Sequence, residues 1–351
     1  MDTLTHALSG ALLGRATAQQ GLSPALLRRR VAAGFLVAAA PDLDFVVSFV
    51  GPLEYLLNHR GVTHSVLVLP FLAFVLAWLL SKLLRSPDGW RPFYGICAMA
   101  LGAHIAGDLI TSFGTMVFAP VSDWRAGIGT TFIIDLWFSG IIIAGLVASL
   151  FWRNNRLPAR LAGAVLVGYV CFQAVQKERA LDFAREYAAA QGLKDMRFSA
   201  QPRAVSPFNW TVFVSDADTH RLAHVNLVRT MPREAQPDDG FIARLDRAYQ
   251  PLAMARWESA PRYGADPALQ PAARAAWSSD ALAFFRWFAE LPVLAAGSGG
   301  DCMWFTDLRF VMPGRAGNPF FYGACRAERD GGDWRAFRRS PDGAAQALQS
   351  P

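Results

Sequence analysis

Residues 65–84 read SVLVLPFLAFVLAWLLSKLL, 20 positions in which Lys82 is the one charge. An α-helix needs roughly 20 apolar residues to cross the hydrocarbon core of a bilayer, so this run predicts a membrane-spanning helix. Working outward, Phe93–Phe113 and Ile133–Trp152 repeat the pattern, and Arg160–Val175 is a shorter fourth run. Upstream lie two weaker segments: Leu4–Ala18, rich in small residues, and Ala25–Val50, interrupted by Pro41-Asp42-Leu43-Asp44. Ser9, Gly10, Ala11 and Gly14 suit close helix packing inside a bundle, and the second segment is predicted to end near Pro41.

The chain has 351 residues, 53% hydrophobic and 18% charged, with a mean hydropathy of +0.22. Soluble domains carry about 25% charged residues, so charge is depleted here. The apolar excess sits in the first half, and most of the charge follows Lys177. The expected fold class is therefore a membrane all-α helical bundle of about five to six helices over residues 1–176. A water-exposed α+β domain over residues 177–351 follows. In that part Trp210–Val214, His224–Arg229, Met303–Met312 and Phe320–Arg326 read as strands, and Ala268–Leu291 reads as helix.

The net charge of +6 could suggest nucleic acid, but the arginines cluster in short loops between apolar runs, and no nucleic-acid partner is expected. Arg28-Arg29-Arg30, then Lys82, Arg85 and Arg91, then Arg153, Arg156 and Arg160 mark every second connection. The positive-inside rule puts these loops in the cytoplasm. The last helix then delivers the C-terminal domain to the exterior or periplasm of a bacterial-type inner membrane. An oxidising compartment there would permit a Cys302–Cys325 disulfide. Cys97 and Cys171, inside apolar runs, read as buried small hydrophobes.

Ionisable residues at membrane depth are costly and need a partner or a purpose. Four histidines, His6, His59, His64 and His104, share the membrane half with Asp42, Asp44, Asp108 and Asp135. On antiparallel helices these positions are alternately helix starts and helix ends, so all eight fall at one level, opposite the arginine loops. His104 and Asp108, spaced i, i+4, sit one turn apart on one helix face and can chelate zinc or a similar divalent ion. Arg60, within His59-Arg60-Gly61-Val62-Thr63-His64, suits a phosphate or carboxylate at the same rim. Asp135 is open as a late ligand or a general base. Taken singly, each residue reads as a cap or a packing group; taken together, they read as a metal site. His220 and His224, also four apart, fall in a strand and turn and read as ordinary surface histidines.

At these residues the chain resembles the membrane-bound metal-dependent hydrolase family. The matching pieces are Thr5-His6, Pro41-Asp42-Leu43-Asp44, His59-Arg60-Gly61-Val62-Thr63-His64, His104 with Asp108, and Ile134-Asp135, across about the first 180 residues. That family is thought to be distantly related to the zinc-dependent phospholipase C and single-strand nuclease superfamily. The resemblance implies that His6, Asp42, His59 or His64, His104 and Asp108 hold one or more Zn²⁺ or other divalent ions. A late His-x-x-x-Glu pair is absent from the sequence.

The reading that follows is metal-assisted hydrolysis, with Asp44 or Asp135 as base and Arg60 on the anionic group. A site at the membrane face makes membrane lipids, or a lipid-linked phosphoester, the expected substrate and partner. The alternative is a non-catalytic membrane protein with a structural metal site and an exterior binding domain. A cation or proton path would place polar residues through the depth of the bilayer, whereas here they gather at one end.

Overall fold

The structure is a computed structural model and describes residues 1–234, 236, 238–313, 318–326, 332–340 and 343–348. The chain divides into two compact units, Met1–Val47 with Asn58–Gln176, and Ser48–Leu57 with Lys177–Pro351.

The first unit is helical. Helix α1 (Thr3–Ala16) starts where the Asp2 carboxylate accepts the Thr5 N–H at 3.0 Å. Helix α2 (Pro24–Ala39) starts at Ser23 with Pro24 in its first turn, where a missing N–H costs nothing. It passes at Pro41 into a 3₁₀ run, Ala40–Phe49. Helix α3 (Pro52–Asn58), which up to Leu57 is counted with the second unit, is followed by a 3₁₀ turn, Val62–His64, and by α4 (Leu69–Leu83) and α5 (Arg91–Leu109). After an irregular stretch come α6 (Leu136–Phe151) and α7 (Leu157–Ala190).

Helices α1 and α2 touch backbone to backbone. A Cβ built on Gly10 would lie 2.0 Å from the Gly34 carbonyl oxygen, and one on Gly34 would lie 2.2 Å from that of Gly10. One turn on, a Cβ on Gly14 would meet the Arg30 carbonyl oxygen at 2.9 Å. Only glycine permits this approach, the small-xxx-small packing used where lipid removes the hydrophobic drive between helices. At the far end of α1 from His6, Arg15 donates to the carbonyls of Trp152, Arg153 and Asn155, capping α6.

A helical N-terminal region followed by a sheet-bearing C-terminal region is what the fold reading anticipated. The number of crossing helices differs. Among the described residues, two helices are long and apolar enough to span a bilayer, Pro24–Phe49 and Leu157–Ala190. A third counts if Pro52–His64 and Leu69–Leu83, bent by 82°, form one broken span. Residues 65–84 are therefore not one straight helix: Ser65 is extended and the helix begins only at Leu69. Cys97 is buried, but Cys171 is exposed on α7.

In the second unit β1 (Arg197–Pro202), β2 (Asn209–Ser215) and β3 (Thr219–Asn226) form an antiparallel meander. After α8 (Phe241–Arg247), β4 (Gln250–Pro251) pairs parallel with β3, and β5 (Glu258–Pro261) pairs antiparallel with it. One sheet face buries Ala200, Val212, Val214, Ala223 and Val225 against Ala180, Ala184 and Ala188. Helices α9 (Gln270–Ser278) and α10 (Ala283–Phe288) replace the single helix expected over 268–291. The break falls at Ser279, which is extended, and Arg286 holds it by donating to the Trp277 and Ser279 carbonyls. A second sheet follows, β6 (Pro292–Leu294), β7 (Cys302–Asp307), β8 (Phe321–Arg326), β9 (Trp334–Arg339) and β10 (Ala345–Ala347), paired in that order. Cys302 and Cys325, directly opposed in β7 and β8, form a disulfide.

The two histidines of this unit are not surface groups. His220 is fully buried between Ser215 Oγ and the Pro292 carbonyl, at 2.8 and 3.2 Å. His224, half-buried, lies 2.9 Å from Thr211 Oγ1. Burial, and then the Arg203 charge, push the His224 imidazole down to about 4. His220 is lowered too, by burial first and then by Arg262.

Two outcomes follow. Gly10→Val forces α1 and α2 apart, an overpacking cost of roughly 1–3 kcal/mol or more, and should lower the melting temperature of the detergent-purified chain. A folded state that keeps His224 neutral binds fewer protons than the unfolded chain between pH 6.5 and about 4. Stability is therefore full above pH 6.5 and declines as pH falls through that window, and a His224→Gln chain should show a flatter melting-temperature profile there.

Candidate metal centre

The site lies within the first unit and is assembled from helix ends. His6 comes from the first turn of α1, Asp42 from the 3₁₀ run after α2, His64 from the turn before α4, and His104 with Asp108 from the last turns of α5. His6, His64, His104 and Asp108 are all at most 1% exposed.

Asp108 is the hub. Its Oδ1 lies 3.0 Å from His6 Nε2 and 2.9 Å from Arg60 Nη2, and the Met1 α-ammonium also donates to it. Its Oδ2 lies 3.3 Å from His64 Nε2 and 3.5 Å from His104 Nε2. Asp42 Oδ1 stands 3.6 Å from His104 Nε2 and 3.7 Å from His64 Nε2. The His6 and His104 rings stack with centroids 3.8 Å apart.

The hydrogen-bond pattern orients the imidazoles. His104 Nδ1 lies 2.6 Å from the Ala38 carbonyl oxygen. A carbonyl only accepts, so Nδ1 carries the proton and a neutral His104 ring turns a bare Nε2 lone pair into the cluster. That nitrogen stands 2.9 Å from His64 Nε2. Two ring nitrogens so close must share a proton or share a cation. Asp42 Oδ2 and Asp108 Oδ2 are buried with no hydrogen-bond partner among the described residues. Buried carboxylate oxygens normally have a partner, and their lack of one here points to a positive charge between them.

The donor set is compact. One ligand atom from each of His6, Asp42, His104 and Asp108 lies within 4.8 Å of the others. Tetrahedral zinc bonds of about 2.0–2.1 Å require ligand–ligand edges of roughly 3.3 Å. The separations of 3.0 Å from His6 Nε2 to Asp108 Oδ1 and 3.5 Å from His104 Nε2 to Asp108 Oδ2 lie near that value and run to the two oxygens of one carboxylate. Two imidazoles and two carboxylates suit zinc or a neighbouring divalent ion.

The remaining expected site residues are placed as follows. Asp44 accepts from the Arg60 N–H at 2.9 Å and sits 2.9 Å from His59 Nδ1, so it braces the loop that carries both. His59 thus faces Asp44 and stands outside the four-ligand set, while His64 lies against that set. Arg60 is buried, its Nη1 donates to Thr111 Oγ1 at 3.0 Å, and its guanidinium lies 4.9 Å from the Phe113 ring centroid. Its backbone adopts φ +58°, a left-handed conformation uncommon for a non-glycine residue, held by Asp44 on its N–H and by Met116 on its carbonyl. Asp135 is not brought to the cluster. It caps α6 by accepting the Trp137 and Phe138 N–H groups at 2.9 Å and receives the Tyr169 hydroxyl. That carboxylate serves the helix start at Leu136 and stands outside the four-ligand set.

Sequence reading missed Thr111 and Ala38. Thr111 is three residues beyond Asp108, so the helix face through His104 and Asp108 points to it. Ala38 acts through a carbonyl, which every residue has, so its role has no sequence signal.

A family model described as YdjM inner membrane protein matches residues 1–180 of the chain, which hold the whole His/Asp cluster. The Bacillus subtilis (strain 168) protein named "Uncharacterized protein YfhP" is 28% identical over 185 residues, 51% of this chain and 55% of that protein. The chain thus spans about half the length of the curated relative it matches. No solved structure matches.

Elemental analysis of the detergent-purified chain should find a bound divalent metal. His104→Ala should lose it while His59→Ala keeps it. Retention in the first variant, or loss in both, would contradict the four-ligand set.

Proposed function

The chain belongs to the YdjM inner membrane protein family, and from its buried His/Asp cluster we propose that it is a membrane-bound metal-dependent hydrolase acting on a phosphoester, on a lipid or lipid-linked substrate. The observation that carries this reading is the pair of buried oxygens without a hydrogen bond among the described residues, Asp42 Oδ2 and Asp108 Oδ2, beside the facing His64 and His104 nitrogens. His6, Asp42, His104 and Asp108 would hold Zn²⁺, with His64 at its side. When bound, Zn²⁺ acidifies water and neutralises charge developing on a phosphoryl oxygen.

The chain's own groups supply the rest. Asp44, 2.9 Å from His59 Nδ1, is placed to take a proton and share it with that ring. Arg60 holds Asp108 and, through the same fork, has the geometry to hold a phosphoryl oxygen. Asp42, whose side chain is 12% exposed, lies on the more open side of the cluster.

The reading places the helices of the first unit in the inner membrane and the second unit in the periplasm. The Cys302–Cys325 disulfide supports the second placement, because disulfides persist in oxidising compartments. One observation favours the structural-metal alternative: His64 and Asp108 are fully buried, as in closed structural sites.

The deciding experiment screens the detergent-purified chain against phosphodiesters and phospholipids with metal added or chelated. Hydrolysis should require metal and vanish in Asp108→Ala. Asp44→Asn should keep the metal and lose about a hundredfold or more in rate. Bound metal without hydrolysis of any of these substrates would leave the structural reading standing.

A further inference from the structure

The second unit holds a cavity of about 590 Å³ that the proposed reaction does not use. Strand periodicity builds its floor. Arg197 and Ser199 share one face of β1, Ser215 is paired with Arg197 across β2, and His220 is paired with Ser215 across β3. Arg262, just past β5, is fixed by its backbone, whose N–H donates to the Asp218 carbonyl at 2.7 Å and whose carbonyl accepts from Leu294 at 2.8 Å. Arg286 and Trp277 also line it.

Three guanidinium groups, of Arg197, Arg262 and Arg286, thus line one cavity. The one carboxylate in its lining, Glu290, is engaged by Arg309 Nη1 at 2.6 Å and does not neutralise them. Arg286 spends one nitrogen on the neutral Trp277 and Ser279 carbonyls, which leaves its charge in place. Arg262 Nε and Ser199 Oγ are buried atoms with no hydrogen-bond partner among the described residues. Burying donors without acceptors is costly, so the site is built for an acceptor that is not part of the chain. The His220 imidazole is lowered by burial first and then by Arg262, with Arg197 acting in the same sense against the Pro292 carbonyl and Asp307. Phe198, Leu291 and Pro292 add an apolar side.

We propose that this cavity binds a phosphate group carried by a small or lipid-borne molecule, with Arg197 and Arg262 on the phosphate oxygens and Ser199 donating a hydroxyl. Guanidinium forks match phosphate oxygens two at a time, and the volume fits a phosphate with a small organic remainder. The site is independent of the metal centre.

Titration calorimetry on the detergent-purified full chain tests it, with inorganic phosphate in one arm and bicelles of phosphatidylglycerol or phosphatidylcholine in the other. Saturable binding in either arm, weakened about tenfold or more by Arg262→Gln and by Arg197→Gln at unchanged melting temperature, supports the proposal. The arm that responds identifies a soluble or a lipid-borne source. Binding must persist in Asp108→Ala, which separates this site from the metal centre. No binding in either arm, or equal binding by wild type and both arginine variants, overturns the proposal.

Discussion

The Asp108 carboxylate, fully buried among helix ends, is the constraint on which the first unit depends. A buried carboxylate is tolerated only when charge and hydrogen bonds surround it. Here Arg60, the Met1 ammonium, His6, His64 and His104 all converge on its two oxygens. Each of these groups is delivered by a different piece of chain or a different turn, so the polar cluster dictates how α1, α5 and the turn before α4 must meet. The apolar contacts fill the space around that arrangement without specifying it, since one lipid-facing leucine is much like another.

Much of this was legible in the sequence because polar residues in apolar runs are conspicuous. His104 and Asp108 announce themselves by spacing, and Asp42 by its place after Pro41. Asp135 misled because a helix-capping carboxylate and a catalytic one look alike before the cap geometry is known. Residues 65–84 misled in another way: hydropathy measures composition, and composition does not register the extended Ser65 that bends the path by 82°. In the second unit His220 and His224 looked like surface groups because a strand with one polar position in two normally shows that position to water. Both faces of this sheet are covered, and the histidines are satisfied by Ser215 and Thr211 instead.

The two units solve the problem of buried charge in opposite senses. In the first, carboxylate oxygens without a hydrogen bond face imidazole nitrogens, an arrangement suited to a cation. In the second, arginine and serine donors are left over around a cavity. Arg309 shows what a completed arrangement looks like: its guanidinium reaches Asp307, Glu290 and the Phe288 carbonyl, and lies against the Phe288 and Phe310 rings. Arg262, just past β5, differs in having a buried Nε with no hydrogen-bond partner among the described residues.

The backbone contact between Gly10 and Gly34 has a consequence for how such a chain can drift over evolutionary time. His6 lies one turn before Gly10, and Asp42 lies two turns beyond Gly34, on the two helices that this contact clamps together. The approach of His6 to Asp42 therefore rests on two positions that have no side chain and lie outside the cluster. A lineage could exchange many of the leucines on the lipid side at little cost, yet it could not enlarge either glycine without separating the imidazole from the carboxylate it must meet.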